Sequence, residues 1–183
     1  MMKKNSLHPL KHLRTSALAL AALCGSALTP AHAQSSDEDE FKAAMIFNFL
    51  RFTSWQDTSN MHSPDQVHIC VNDHDGLPSA VRRLNGKSLG ERSISVLTID
   101  TPEELPGYCD VVILTEEFMS RGTVSAHRNI LFISEKEGLA TELASIELVN
   151  IGRKTRFHVR PTVARENGIF LSAKLINVAA KVW

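Results

Sequence analysis

Apolar and polar positions follow two periods along this chain. Phe41 to Trp55 (FKAAMIFNFLRFTSW) places Phe41, Ala44, Met45, Asn48, Phe49 and Phe52 at three- and four-residue spacing, which predicts an amphipathic helix with Lys42 and Arg51 toward water. Ile46, Phe47 and Leu50 widen the apolar surface beyond one stripe. Such a helix is either covered on two sides or offers Phe47, Leu50 and Arg51 to a partner or a second copy. Further on, short continuous apolar runs predict buried strands at Val67–Val71, Ser93–Ile99, Cys109–Leu114 and Asn129–Ser134. Helical stretches are expected between them at Leu77–Leu84 and Thr115–His127, with a short turn of helix opened by Thr101-Pro102-Glu103-Glu104.

Alternation of strand and helix predicts α/β architecture: three layers around a mostly parallel sheet, flavodoxin- or Rossmann-like. The C-terminal third reads differently. Ile146–Asn150 and Thr155–Val159 flank Ile151-Gly152-Arg153-Lys154, predicting an antiparallel hairpin at the sheet edge. Leu171–Trp183 (LSAKLINVAAKVW) predicts a final helix with Leu171, Leu175, Val178, Ala179 and Val182 on one face.

The first 33 residues read as an export signal, with Lys3, Lys4, Lys11 and Arg14 ahead of the apolar run Ser16–Leu28. Ala31-His32-Ala33 then supplies the small residues for cleavage before Gln34. That run is too short to span a bilayer. Removing 33 of 183 residues leaves 150, enough for one domain. The expected organisation is a signal peptide at 1–33, an acidic leader at 34–40 and a single α/β domain at 41–183. The signal carries four basic residues and no acid. Sixteen basic and twenty acidic residues remain, a formal charge of −4 that gives no electrostatic reason to bind nucleic acid. The expected location is the periplasm.

Export changes the meaning of the cysteines. Of three, Cys24 falls in the signal, leaving Cys70 and Cys109 for an oxidising compartment. In a sheet of simple order the second strand would separate them by about 9–10 Å. A disulfide needs Cα atoms within about 7 Å. A Cys70–Cys109 bond therefore requires the first and third strands to be neighbours, as in the order 2-1-3-4. Neither cysteine belongs to a Cys-x-x-Cys pair, so the bond reads first as a staple, with redox control as the alternative.

Several motifs together resemble the YfiR-like periplasmic family. The helix Phe41–Trp55 resembles its opening pattern, K-A-A-hydrophobic-aromatic-N-F-x-R-F-x-x-W. Ile69-Cys70-Val71, Leu84-Asn85-Gly86-Lys87, Cys109-Asp110-Val111-Val112-Ile113-Leu114 and Ile146-Glu147-Leu148-Val149 follow in order. Gly168–Ile176 (GIFLSAKLI) resembles the closing G-L-x-hydrophobic-S-x-K-L-L. The resemblance implies a periplasmic α/β regulator that represses an inner-membrane diguanylate cyclase by contact, and hence acts on cyclic di-GMP and biofilm formation. It also implies an outer-membrane lipoprotein of YfiB type as a further partner; a homodimer is the expectation drawn from the apolar surface of the first helix. Two departures stand out. A second cysteine pair known in the family is missing, and the pattern R-F-E-hydrophobic-N appears as Arg156-Phe157-His158-Val159-Arg160.

Chemistry-bearing motifs are few. Asp73-His74-Asp75 follows the first strand and offers metal ligands without a distant partner, the basis of an alternative reading as a small-molecule or metal-binding protein. Arg153, Arg156, His158 and Arg160 make a basic edge suited to an anion or an acidic partner. Neither a G-x-S-x-G elbow nor H-E-x-x-H occurs, and Gly86-Lys87-Ser88 lacks the upstream glycine of a phosphate loop. A binding protein is expected rather than an enzyme, with no catalytic residues, cofactor or resident metal.

Overall fold

A computed structural model describes residues 31–56, 63–105 and 107–183. Residues 1–30 of the expected export signal lie outside them. Helix α1 (Ala31–Arg51) runs into β1 (Thr53–Trp55); β2 (Gln66–Val71), α2 (Leu77–Arg82), β3 (Ser88–Leu89) and β4 (Arg92–Thr98) follow. A 3-10 turn at Pro102–Glu104 leads to β5 (Val111–Leu114), α3 (Glu116–Ser120) and β6 (Leu131–Ser134). The C-terminal part comprises β7 (Ile146–Ile151), β8 (Lys154–Val159), α4 (Pro161–Glu166), β9 (Ile169–Leu171), α5 (Ala173–Ile176) and β10 (Lys181–Val182).

The fold is α/β with a mixed sheet of eight strands in the order β10-β8-β7-β6-β5-β2-β4-β3. Its central strands β4, β2, β5 and β6 are parallel, and their order is the 2-1-3-4 that a Cys70–Cys109 bond requires. Strand β2 lies beside β5, with Cys70 opposite Val112, and the two cysteines are bonded at a Cα separation of 5.8 Å. The hairpin β7–β8 joins as expected, β7 running parallel to β6.

Successive residues of a strand face opposite sides, and two apolar clusters divide accordingly. The larger gathers Val67, Ile69, Val111, Ile113 and Ile133 beneath Ala43, Ile46, Phe49 and Leu50 of α1 and Leu77, Ala80 and Val81 of α2. The smaller packs Cys70, Cys109, Val112, Leu114 and Phe132 against Leu105, Phe118 and Leu143 on the other face. Every residue of β5 and β6 is buried, which is why these strands read as unbroken apolar runs.

Four elements differ from expectation, each through a tertiary partner or a local stop. Helix α1 ends at Arg51, not Trp55. The Thr53 hydroxyl donates to the Phe49 carbonyl (2.9 Å), and Thr53–Trp55 pairs antiparallel with β9 in a separate two-stranded sheet. The same helix begins at Ala31, so the acidic leader at 34–40 is helical. Helix α3 starts where expected, Thr115 Oγ1 accepting the Phe118 amide (3.1 Å), but stops at Ser120. Gly122 follows close by, where a Cβ would lie 2.6 Å from the Glu103 carboxylate.

The last correction is the largest. Leu171–Trp183 is not one helix. Ser172 caps α5, its side chain accepting the Leu175 amide, and the helix lasts four residues. The chain then turns to lie beside β8, where Ala180 donates to the Phe157 carbonyl (2.8 Å) and Trp183 to that of Val159 (3.0 Å). Open backbone acceptors on the outer strand win Ala180 and Trp183 over continued helix, although Ala179, Ala180 and Lys181 are good helix formers. Val178 and Val182, expected on one helix face with Leu171 and Leu175, are exposed.

The bond closes a chain separation of 39 residues. Replacing both Cys70 and Cys109 with alanine is expected to lower stability by about 2–4 kcal/mol, the upper figure being the loop-closure value for that length. Urea unfolding of the two proteins without reductant measures it, and reductant should bring the parent protein to the variant's stability.

Candidate functional site

Three polar features stand out against the apolar framework. The first adjoins the disulfide. Asp110 is buried, and its Oδ2 accepts the His68 amide at 2.7 Å and lies 3.4 Å from His68 Nδ1. Burial pushes the Asp110 carboxyl above its ordinary 3.8, while the His68 hydrogen bond and the charges of His68 and Arg92 pull it back. A cleft of about 450 Å³ opens over Cys109 and Asp110, rimmed by His127, Arg128 and Asn129. Asn129 is the one described non-glycine residue at positive φ (63°). Its amide donates to the Asn167 carbonyl and its carbonyl accepts the Trp55 indole N–H, so the strained residue ties β1 to the loop before β6.

The second feature surrounds Glu147, a carboxylate on β7 with no exposed surface. Arg160 Nη1 lies 2.9 Å from Glu147 Oε2, and the Gly138 amide reaches Oε1 at 3.3 Å. The Arg160 contact is an ion pair rather than an aligned hydrogen bond. His158 stands opposite Glu147 in the β7–β8 ladder, with Nδ1 3.5 Å from Glu137. Trp183 covers the group: the Arg160 guanidinium lies 5.2 Å from its ring centre, and the His158 ring meets it edge-on at 6.3 Å. His158 and Arg160 do share a face, as their alternation predicts. That face is closed by acids and an indole, so these two departures from the family pattern neighbour a buried carboxylate rather than an open anion edge.

The third feature is open. A cleft of about 640 Å³ lies between the Asp37–Phe41 stretch of α1 and the tip of the hairpin, lined by Glu38 and Phe41 on one side and Arg153, Lys154 and Arg156 on the other. Glu38 is held by the Asn150 amide group (3.0 Å) and then by Lys42 (2.7 Å), which lower its carboxyl pKa. Arg153 and Arg156 are exposed, whereas His158 is buried and Arg160 partly so. The basic edge read from the sequence is therefore two places, one open and one sealed.

The surface expected at Phe47, Leu50 and Arg51 is likewise divided. Leu50 is only 2 % exposed and belongs to the core under α1, which removes it from any surface. Phe47 is half-buried against that core, and Arg51 is exposed. The helix is wide in apolar residues chiefly because the sheet, α2 and β8 cover it; Phe49 meets Phe157 at 4.7 Å between ring centres. Asp73, His74 and Asp75 lie exposed in the loop after β2. Asp73 is 3.5 Å from Arg82, whose guanidinium also donates to the Asn72 and His74 carbonyls. Among the described residues, no three His, Cys, Asp or Glu side chains converge to hold a metal ion.

Glu147 escaped sequence reasoning. It reads as one polar letter in an apolar run, and only its register opposite His158 marks it. Trp183 escaped because its strand is two residues long.

The molecule is thus a disulfide-clasped α/β domain with one buried acid at the β2–β5 junction and two further charged features on a C-terminal hairpin. Its sequence matches the YfiR/HmsC-like pattern over residues 39–180, and the chain belongs to that family. A search of curated proteins finds no match.

Arg160→Ala is expected to destabilise the fold by about 3 kcal/mol, because it leaves Glu147 buried without its counter-charge. Adding Glu147→Gln should recover part of the loss, which urea unfolding of the single and double variants will read. Asp110 acts on pH dependence. The folded protein keeps its proton at pH values where the unfolded chain has released it, so stability falls as pH rises from 3.8 through the raised value. Asp110→Asn should make that fall shallower in unfolding curves across the acid range. Glu135 and Asp39, also raised by burial, sustain the remainder.

Proposed function

We propose that the protein is a periplasmic regulator that represses an inner-membrane diguanylate cyclase by direct contact, and so lowers cyclic di-GMP. The observation that carries this reading is family membership over residues 39–180. The disulfide supports an oxidising location. Among the described residues no helix is long and apolar enough to cross a membrane, so contact with a membrane cyclase would be made through its periplasmic part. We read the sheet as a flavodoxin-like scaffold, a lipoprotein of YfiB type as a competing partner, and self-association as a means of presenting two contact faces.

Deleting the gene should raise cyclic di-GMP, and tagged mature protein should co-purify with one cyclase from solubilised membranes. Unchanged cyclic di-GMP together with no cyclase in the pull-down would reject the proposal. Repeating the pull-down with a reducing agent separates the two readings of the disulfide. Capture indifferent to reduction assigns it a structural role.

A further inference from the structure

The outer strand β8 is only half covered. Strand β10 pairs with His158 and Val159 alone, and the Ala180 amide takes the Phe157 carbonyl. Among the described residues no strand lies beside Lys154–Arg156, although β7 pairs with them on the inner side. The outward acceptors at Phe157 and Val159 place the Thr155 N–H and C=O on the same outer side, since backbone direction repeats every second residue of a strand. An uncovered edge of this kind is a template for an added strand.

The surroundings select what can be added. Arg153, Lys154 and Arg156 flank the open edge, and no ion pair engages any of them among the described residues. Cations on an edge protect it against its own kind, because a second copy would set lysine and arginine against lysine and arginine. The same cations favour an acidic strand. The adjoining cleft of about 640 Å³ supplies apolar contact through Phe41, which is 54 % exposed. Ile151, at the hairpin tip, is 52 % exposed. The concave shape of this cleft suits a narrow peptide better than the flat face of a bilayer, and Asp37 and Glu38 on its far wall favour the apolar face of that peptide turning toward α1.

We infer that the free half of β8, Lys154–Arg156, is a docking edge for an extended segment of a partner protein that alternates acidic and apolar residues. The segment adds a strand outside β8, its carboxylates meeting Arg153, Lys154 and Arg156 and its apolar side chains lying toward Phe41. The inference stands on the edge and its charges, and does not depend on the partner being a cyclase.

The test uses the mature protein and two short synthetic peptides, one alternating glutamate and valine, the other lysine and valine. Fluorescence anisotropy should show binding of the glutamate peptide only, weakening as salt rises. Amide exchange at Thr155 should slow on binding. Thr155→Pro removes the outward N–H without touching the ladder to β7, and should abolish binding while the folded spectrum is kept. Lys154→Glu with Arg156→Glu should weaken binding of the glutamate peptide about tenfold and admit the lysine peptide. Equal binding of both peptides overturns the inference. So does glutamate-peptide binding that survives Thr155→Pro, or no binding at all. Preferential binding of phosphatidylglycerol vesicles, or self-association through this edge, would overturn it too.

Discussion

The adjacency of β2 and β5 is the constraint on which the sheet depends. Strand β4 reaches the sheet only through β2, and β6 only through β5, so this pair joins the two halves of the parallel core. Two backbone links hold the junction at its amino end: the Asp110 amide donates to the His68 carbonyl, and the Asp110 carboxylate accepts the His68 amide. The disulfide joins Cys70, two residues beyond His68 on β2, to Cys109, the residue just before Asp110. Hydrogen bonds, a buried carboxylate and a covalent bond therefore coincide at the one seam where the chain order reverses. The burial of Asp110 is tolerable there because its lone pairs are used by the strand beside it.

Much of this was legible because the central strands are buried on both faces. Val111–Leu114 and Leu131–Ser134 have no solvent side, so their apolar runs admit no helical reading of comparable length. The two cysteines then gave the order, since geometry allows their bond only between neighbours. The edges were harder. Lys181–Val182 becomes a strand only because β8 offers unpaired carbonyls, and that information lies more than twenty residues away in the chain. Leu50 reads as surplus on a helical wheel, yet the sheet and α2 cover that side too. Periodicity reports how many faces are apolar and says nothing of what covers them.

The charged residues of the C-terminal hairpin show the same limit. Arg153, Arg156, His158 and Arg160 form one basic cluster on paper. Register splits it, because Glu147 faces His158 and draws Arg160 inward beneath Trp183. The inner half serves the fold: one buried acid, one guanidinium and one indole close the edge together. The outer half is left with cations that no acid engages among the described residues. A single glutamate in β7 thus decides which part of the hairpin is structural and which remains free to meet another molecule.

The loop that the disulfide closes contains α2, β3 and β4, and with them the exposed turns at Asp73–Gly76 and Asn85–Gly86. Such turns are where proteases cut first. In a linear chain one cut there would release a fragment. Here any cut between Val71 and Tyr108 leaves both pieces joined through sulfur, with β2 and β5 still tethered. The bond makes about a quarter of the domain a ring, so the pieces of a nicked molecule stay together until the disulfide is reduced.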